Sequence, residues 1–322
     1  MLPDCNGTHL TLDSPYSNQG QLAGYIYLSI GCISMPICSF VFYVFSRPNV
    51  KQSSCYKLLM ITTSLDILNL ISATIVSGFA SIFGVSYCDN GFKWLYPYGH
   101  FFMCVWYIYC ASTEVLALNR MLVFARPQLA IFLFKGRRVW LWLIPIFVYS
   151  AFGLLIDPSM YFVYLPNRGF FLDGKTSVFH IFNNFFKLGF VTACYIIMTL
   201  FIIKLKRKNT NERGSRISSH QITLSLQTLG VAALADFTSC GYLGANYFPD
   251  HWAISQYSGN IGQLEWIFLH SGTGIIYLLV NKSVRTKFLS LFCWSKSVKM
   301  AQMNHMIPQN HSGTSKSMNQ RF

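Results

Sequence analysis

Between Tyr98 and Phe124 runs a 27-residue stretch dominated by apolar side chains, including Trp106-Tyr107-Ile108 and Val115-Leu116-Ala117-Leu118. As a helix rising about 1.5 Å per residue it reaches roughly 40 Å, enough to cross a bilayer and its headgroups. Near its end stands Leu118-Asn119-Arg120-Met121. An arginine one turn inside the end of an apolar helix is costly unless it faces protein or water, so Arg120 is the first functional clue.

The rest of the chain repeats this pattern. Hydrophobic residues make up 52% and charged residues 11%, whereas about a quarter of a soluble domain is charged. Apolar runs of spanning length fall near 24–45, 58–83, 98–124, 140–156, 178–203, 221–248 and 261–280, which predicts an all-α membrane protein, a bundle of seven transmembrane helices. The fourth run is the shortest and loses its apolar character at Asp157-Pro158. Residues 1–23 are polar, contain Asp4 and Asp13 but no Lys or Arg, and show no apolar core followed by a cleavage site, so an uncleaved extracellular tail is expected.

Charge orients the bundle. Outer segments hold only Lys93, Arg168 and Lys175, and Lys187 lies within a span; the other 21 of the 25 basic residues fall in segments on the opposite side. Excess Lys and Arg mark the cytosolic face, which puts the N-terminus outside. The net charge of +14 is read as this topology rather than as nucleic-acid binding, because the basic residues are spread over separate loops. The expected organisation is a tail at 1–23, the seven-span bundle at 24–280, an amphipathic membrane-surface helix at 281–294 and a disordered cytoplasmic tail at 295–322. Cys293 in the surface helix is a palmitoylation candidate, and Ser295, Ser297, Ser312, Thr314 and Ser315 are candidate kinase sites. Asn6-Gly7-Thr8 is a glycosylation sequon in the outer tail, whereas those at Asn281 and Asn310 are on the wrong side.

Chemistry-bearing motifs are missing: no Cys-x-x-Cys, no metal-ligand spacing, no phosphate-cradling Gly-rich loop and no nucleophile elbow. Neither enzymatic activity nor a cofactor is expected. Cys32, Cys38, Cys104, Cys110 and Cys194 read as packing residues within spans. Cys5, Cys88 and Cys240 face the oxidising side, and their spacing leaves the pairing open.

Several motifs now combine: Asp66 inside the second span, Asn119-Arg120 at the inner end of the third, Trp142 early in the fourth, and Tyr277 to Arg285 leaving the seventh. In this order they resemble the rhodopsin-like G protein-coupled receptors. More narrowly, Ser54-Cys55-Tyr56-Lys57, Phe134-Lys135-Gly136 with Trp140, His180 with Asn183-Asn184, and Trp266 followed by His270 and Ile275-Ile276-Tyr277 resemble the serpentine receptor class T chemoreceptors of nematodes. The resemblance implies a small-molecule ligand, a heterotrimeric G protein, arrestin, a plasma-membrane or ciliary location, and activation roles for Asp66, Asn119, Arg120, Thr273 and Tyr277. It also implies that Asp66 can hold sodium. The chain departs from the wider family at Asn119-Arg120-Met121, at Thr273-Gly274-Ile275-Ile276-Tyr277, and in a sixth span without Cys-Trp-x-Pro. Segment 157–177 lacks cysteine, so the usual disulfide from the third span to the second outer loop cannot form.

Depth along each helix sorts the intramembrane polar groups into two levels. Counted from the cytosolic ends at about 1.5 Å per residue, Asp66, Thr273 and His270 lie roughly 12–16 Å deep, a chamber that holds either an ion or a hydrogen-bond cluster. Tyr107, Lys187, Asp236 and Glu265 lie roughly 20–25 Å deep and are the candidate ligand residues, with Trp106, Phe182 or Phe237 as an aromatic wall. Asp236 leads this set because an acid in an apolar helix needs a partner across the bundle, either Lys187 or a cationic ligand. Competing readings are that Lys187, Glu265 and Arg120 snorkel to the interfaces. At the level of function, the alternatives are a transporter or channel, or a receptor-like scaffold that no longer couples.

Overall fold

Segments too apolar for water fold as helices, because each backbone amide then finds its partner within its own segment. The computed structural model describes residues 17–48, 53–156, 162–173, 177–211, 219–246 and 257–290. Seven long helical segments pack side by side. The first is Ser17–Ser46 and the third Leu95–Ala125. The second runs through Ser54–Leu70, a π-helical stretch Ile71–Val76 and Ser77–Phe83. The fourth is Arg138–Leu141 continued by Leu143–Leu155. The fifth, sixth and seventh are Val178–Asn211, Ser219–Asn246 and Ser258–Val280. The first helix starts seven residues before its apolar run, and the fifth continues eight residues past it, where polar residues extend the helix beyond the apolar limits.

Five of these helices are long and apolar enough to cross a membrane on composition alone. The sixth and seventh, at 28 and 23 residues, have the length but carry Gln227, Asp236, Gln263, Glu265 and His270. Polarity is distributed as bilayer burial requires. Leu155, Val148, Leu141 and Phe83 are exposed, while Asp66, Arg120, Asn183, Lys187, Gln227 and His270 are buried. The third helix lies centrally, against the second, fourth and fifth, and the seventh packs on the first, second and sixth.

Three elements were not anticipated. Pro127–Phe134 is a short helix in the first turn of which proline costs nothing, since its missing N–H would be unpaired anyway. Phe134 then stacks on Trp142 with ring centroids 5.3 Å apart. The π-helical stretch is the second. The third is an antiparallel hairpin, β1 (Phe162–Leu165) with β2 (Phe170–Asp173), paired from Leu165↔Phe170 to Phe162↔Asp173. Its turn closes at Gly169, whose φ of 78° favours glycine.

The hairpin covers the outer end of the bundle, held by hydrogen bonds in place of the absent disulfide. Tyr27 Oη donates to the Gly169 carbonyl (2.7 Å), Ser81 Oγ and Tyr164 Oη share a bond of 2.6 Å, and Asn260 Nδ2 donates to the Arg168 carbonyl (2.7 Å). Gly99 permits the approach of β1, since a Cβ there would overlap the Phe162 carbonyl. Cys88 is disulfide-bonded and Cys240 is free, which removes Cys240 from the three pairing candidates. Residues 282–290 are helical after the seventh span, and Phe288 meets Phe40 with centroids 5.6 Å apart. Cys5, Asn6, Cys293 and the tail from 295 lie outside the described residues.

Candidate functional site

Beneath the hairpin lies a cavity of about 350 Å³, at the small end of the usual range for ligand sites. Aromatic rings from Phe102, Trp106, Phe162, Phe171 and Trp266 line it, together with Arg168, His180, Asn184, Gln263 and Glu265 and the hydroxyls of Thr238, Ser239 and Ser258. Local geometry explains their placement. Trp106 Nε1 donates to Asn184 Oδ1 (3.3 Å), and Asn184 Nδ2 faces His180 Nε2 at 3.1 Å, tying the third helix to the fifth. Gln263 Nε2 donates to the Ala73 carbonyl (3.1 Å) within the π-helical stretch, where irregular backbone offers an acceptor to the seventh helix. Trp266 Nε1 donates to Asn69 Oδ1 at 3.2 Å.

The cavity floor leads directly to the inner chamber. The indoles of Trp106 and Trp266 lie edge-on to His270, with centroids 6.2 and 6.4 Å away, and Tyr109 closes the third side at 4.7 Å. His270 Nδ1 and Asp66 Oδ1 are 2.7 Å apart, both side chains being buried. With the carboxylate accepting, Nδ1 carries the proton. The other carboxylate oxygen, Asp66 Oδ2, is buried with no hydrogen-bond partner among the described residues, as is His270 Nε2. Thr273, three residues after His270 on the same helix, is buried and donates to the Leu269 carbonyl (2.8 Å). Tyr277 is buried lower down, edge-on to Phe45 at 5.3 Å.

The four candidate ligand residues do not converge. Only Glu265 lines the cavity. Tyr107 is buried behind it, edge-on to Phe179 at 5.1 Å. Lys187 is buried rather than snorkelling, its Nζ 4.7 Å from the Trp106 ring centroid and 5.8 Å from that of Tyr109. Asp236 sits on the seam of the fifth and sixth helices, where Thr192 Oγ1 donates to its carboxyl at 2.7 Å. It borders a separate groove with Tyr195, Ala232 and Ala233, and no contact ion pair with Lys187 occurs among the described residues. Phe182 and Phe237 point outward, 53% and 73% exposed, leaving Trp106 as the one expected aromatic that lines the cavity. Depth set the level of these groups but not their direction round the helix. His180, Asn184, Gln263 and Trp266 carry the cavity instead, and polar residues recurring in aromatic-rich runs were the available signal.

At the inner end Arg120 is 1% exposed, so it does not snorkel. Its Nε and Nη2 donate to Asn119 Oδ1 at 3.3 and 2.7 Å, and Asn119 Nδ2 donates to Ser54 Oγ at 3.4 Å. A second polar junction was missed from the sequence. Asn281 Nδ2 donates to Gln227 Oε1 (2.7 Å) and to Tyr56 Oη (3.3 Å), while its Oδ1 accepts the Val284 N–H, joining the seventh, sixth and second helices.

No curated protein matches the chain in sequence. In fold it is similar to squid rhodopsin, whose crystal structure superposes with a TM-score of 0.69 at 11% identity, over 87% of this chain and 82% of that one. Residues 4–302 match the family described as serpentine type 7TM GPCR chemoreceptor Srt. A match over nearly the whole chain, on a rhodopsin-like bundle with a buried inner arginine, means that this integral membrane protein belongs to the Srt family of serpentine chemoreceptors.

Proposed function

We propose that this receptor binds a small molecule in the outer cavity and activates a heterotrimeric G protein from its cytosolic face. The observation that carries the reading is the unbroken contact from the cavity indoles Trp106 and Trp266 through His270 to Asp66. A ligand that repositions either indole changes the environment of His270, and with it the hydrogen bond between the seventh and second helices. Binding then shifts the population toward a state in which the inner ends of the fifth to seventh helices admit the G protein. The reading extends to arrestin as a second cytosolic partner and to the plasma membrane or a sensory cilium as the place of action.

Ligand-driven G protein dissociation in cells, against a panel of volatile and water-soluble compounds, is the direct test. Trp266→Ala and His270→Phe are expected to abolish the response with surface expression near normal. Ser239→Trp, which places an indole in the cavity, is expected to block it as well. A response that survives Ser239→Trp would move the ligand elsewhere. Ligand binding that never dissociates a G protein would favour the scaffold reading.

A further inference from the structure

The outer cavity carries one charge of each sign, and the two do not pair. Glu265 is the only carboxylate among the described lining residues and Arg168 the only permanent cation. Glu265 Oε2 is buried and has no hydrogen-bond partner among the described residues. Its carboxyl lies against Gly241 of the sixth helix, where any Cβ would collide with it, so the glycine makes room for the acid. Arg168 sits in the hairpin turn, exposed at the rim, and forms no ion pair among the described residues. Its backbone is held in place: Asn260 grips its carbonyl and Tyr27 the next one along. The same cavity is walled by apolar rings, Phe171 and Phe102 lying 5.8 and 6.4 Å from Trp266.

A buried carboxylate oxygen without a donor is unfavourable, and an ammonium would satisfy it while also lying against aromatic faces. A guanidinium at the rim matches a carboxylate with two parallel hydrogen bonds. A bare amine fits less well, because Lys187 already places a positive charge 4.7 Å from the Trp106 ring and Arg168 adds another. An acid alone would leave Glu265 unsatisfied. We infer that the cavity takes a small zwitterion, an ammonium and a carboxylate on a compact apolar body, with the ammonium toward Glu265 and the carboxylate toward Arg168. This inference rests on the cavity being the ligand site.

The test uses matched sets on the full-length receptor: leucine and phenylalanine, the amines lacking their carboxylate, the acids lacking their amine, and neutral isosteres. Readouts are the melting temperature of the purified receptor and G protein dissociation in cells, with surface labelling as a control. The zwitterions should stabilise and activate, and each singly charged analogue should be at least tenfold weaker. Glu265→Gln should erase the preference over the acids, and Arg168→Gln the preference over the amines. Equal potency of a neutral or singly charged analogue, unchanged potency in both variants, or no response to any member of the sets overturns the ligand class. Ser239→Trp separates the two failures. If it abolishes responses that show no zwitterion preference, the cavity stands and the class is wrong; if zwitterion responses persist through it, the cavity reading itself fails.

Discussion

Among the described residues Arg120 is the largest side chain that the bundle buries completely, and two of its nitrogens donate to the Asn119 amide oxygen. The guanidinium already makes these bonds charge-assisted; a carboxylate in place of the amide adds ion pairing, so Asn119→Asp should tighten the resting state by about 1 kcal/mol and lower basal signalling about fivefold. Arg120→Ala is expected to abolish G protein dissociation at near-normal surface expression, measured by antibody labelling of intact cells. Asp236 teaches the opposite lesson. Its isolation in an apolar helix pointed to a ligand, yet it lies outside the cavity: the Thr192 hydroxyl on the fifth helix donates to its Oδ2, and Oδ1 is buried with no partner among the described residues. Asp236→Asn keeps an acceptor for that hydroxyl, and ligand potency in the dissociation assay should stay within about threefold, less than 1 kcal/mol.

Among elements, the hairpin does work that a disulfide does in related folds. Removing Tyr27 Oη and the Ser81 hydroxyl deletes three anchoring bonds, to the Gly169 carbonyl, to Tyr164 Oη and to the Pro166 carbonyl, worth about 1 kcal/mol each. The double change Tyr27→Phe, Ser81→Ala should therefore weaken ligand potency about tenfold or more by loosening the cavity roof, with the inner face unaffected. Dose-response curves in the same assay check this; unchanged potency would mean that packing alone holds the roof. At the inner end, Asn281 and Gln227 join the seventh helix to the sixth at 2.7 Å. Gln227→Leu removes that neutral link, worth about 1 kcal/mol, and basal activity should rise about fivefold. Neither element was legible in advance. Pro166-Asn167-Arg168-Gly169 between two aromatic runs is a turn signal, but a four-residue strand pair needs the bundle beneath it to persist.

At the scale of the whole molecule, the basic residues remain the argument for orientation. An epitope before Gly24 should be labelled on intact cells and one after Ser295 only after permeabilisation, and Asn6→Gln should remove a glycan shift on gels. Reversed labelling would overturn the orientation and with it the assignment of Arg120 to the cytosolic face. The helices form one bundle because each hides its polar groups against others and turns its apolar side to lipid, so no single helix is stable in water on its own.

The amino-acid sequence by itself determined the helices, their number and the level of each polar group, since hydropathy and a constant rise per residue are properties of a segment read alone, and its charge asymmetry is what argues for their sidedness. That is why Asp66 and His270 were placed at one level before they were seen 2.7 Å apart. Only the tertiary structure decided direction: that Asp236 faces the fifth helix, that Lys187 lies against Trp106, and that Asn281 reaches Gln227. Helices apolar toward lipid and largely apolar toward one another carry little amphipathic signal. The rotation of each about its axis is therefore set by packing against all of its neighbours at once, which no segment read alone contains.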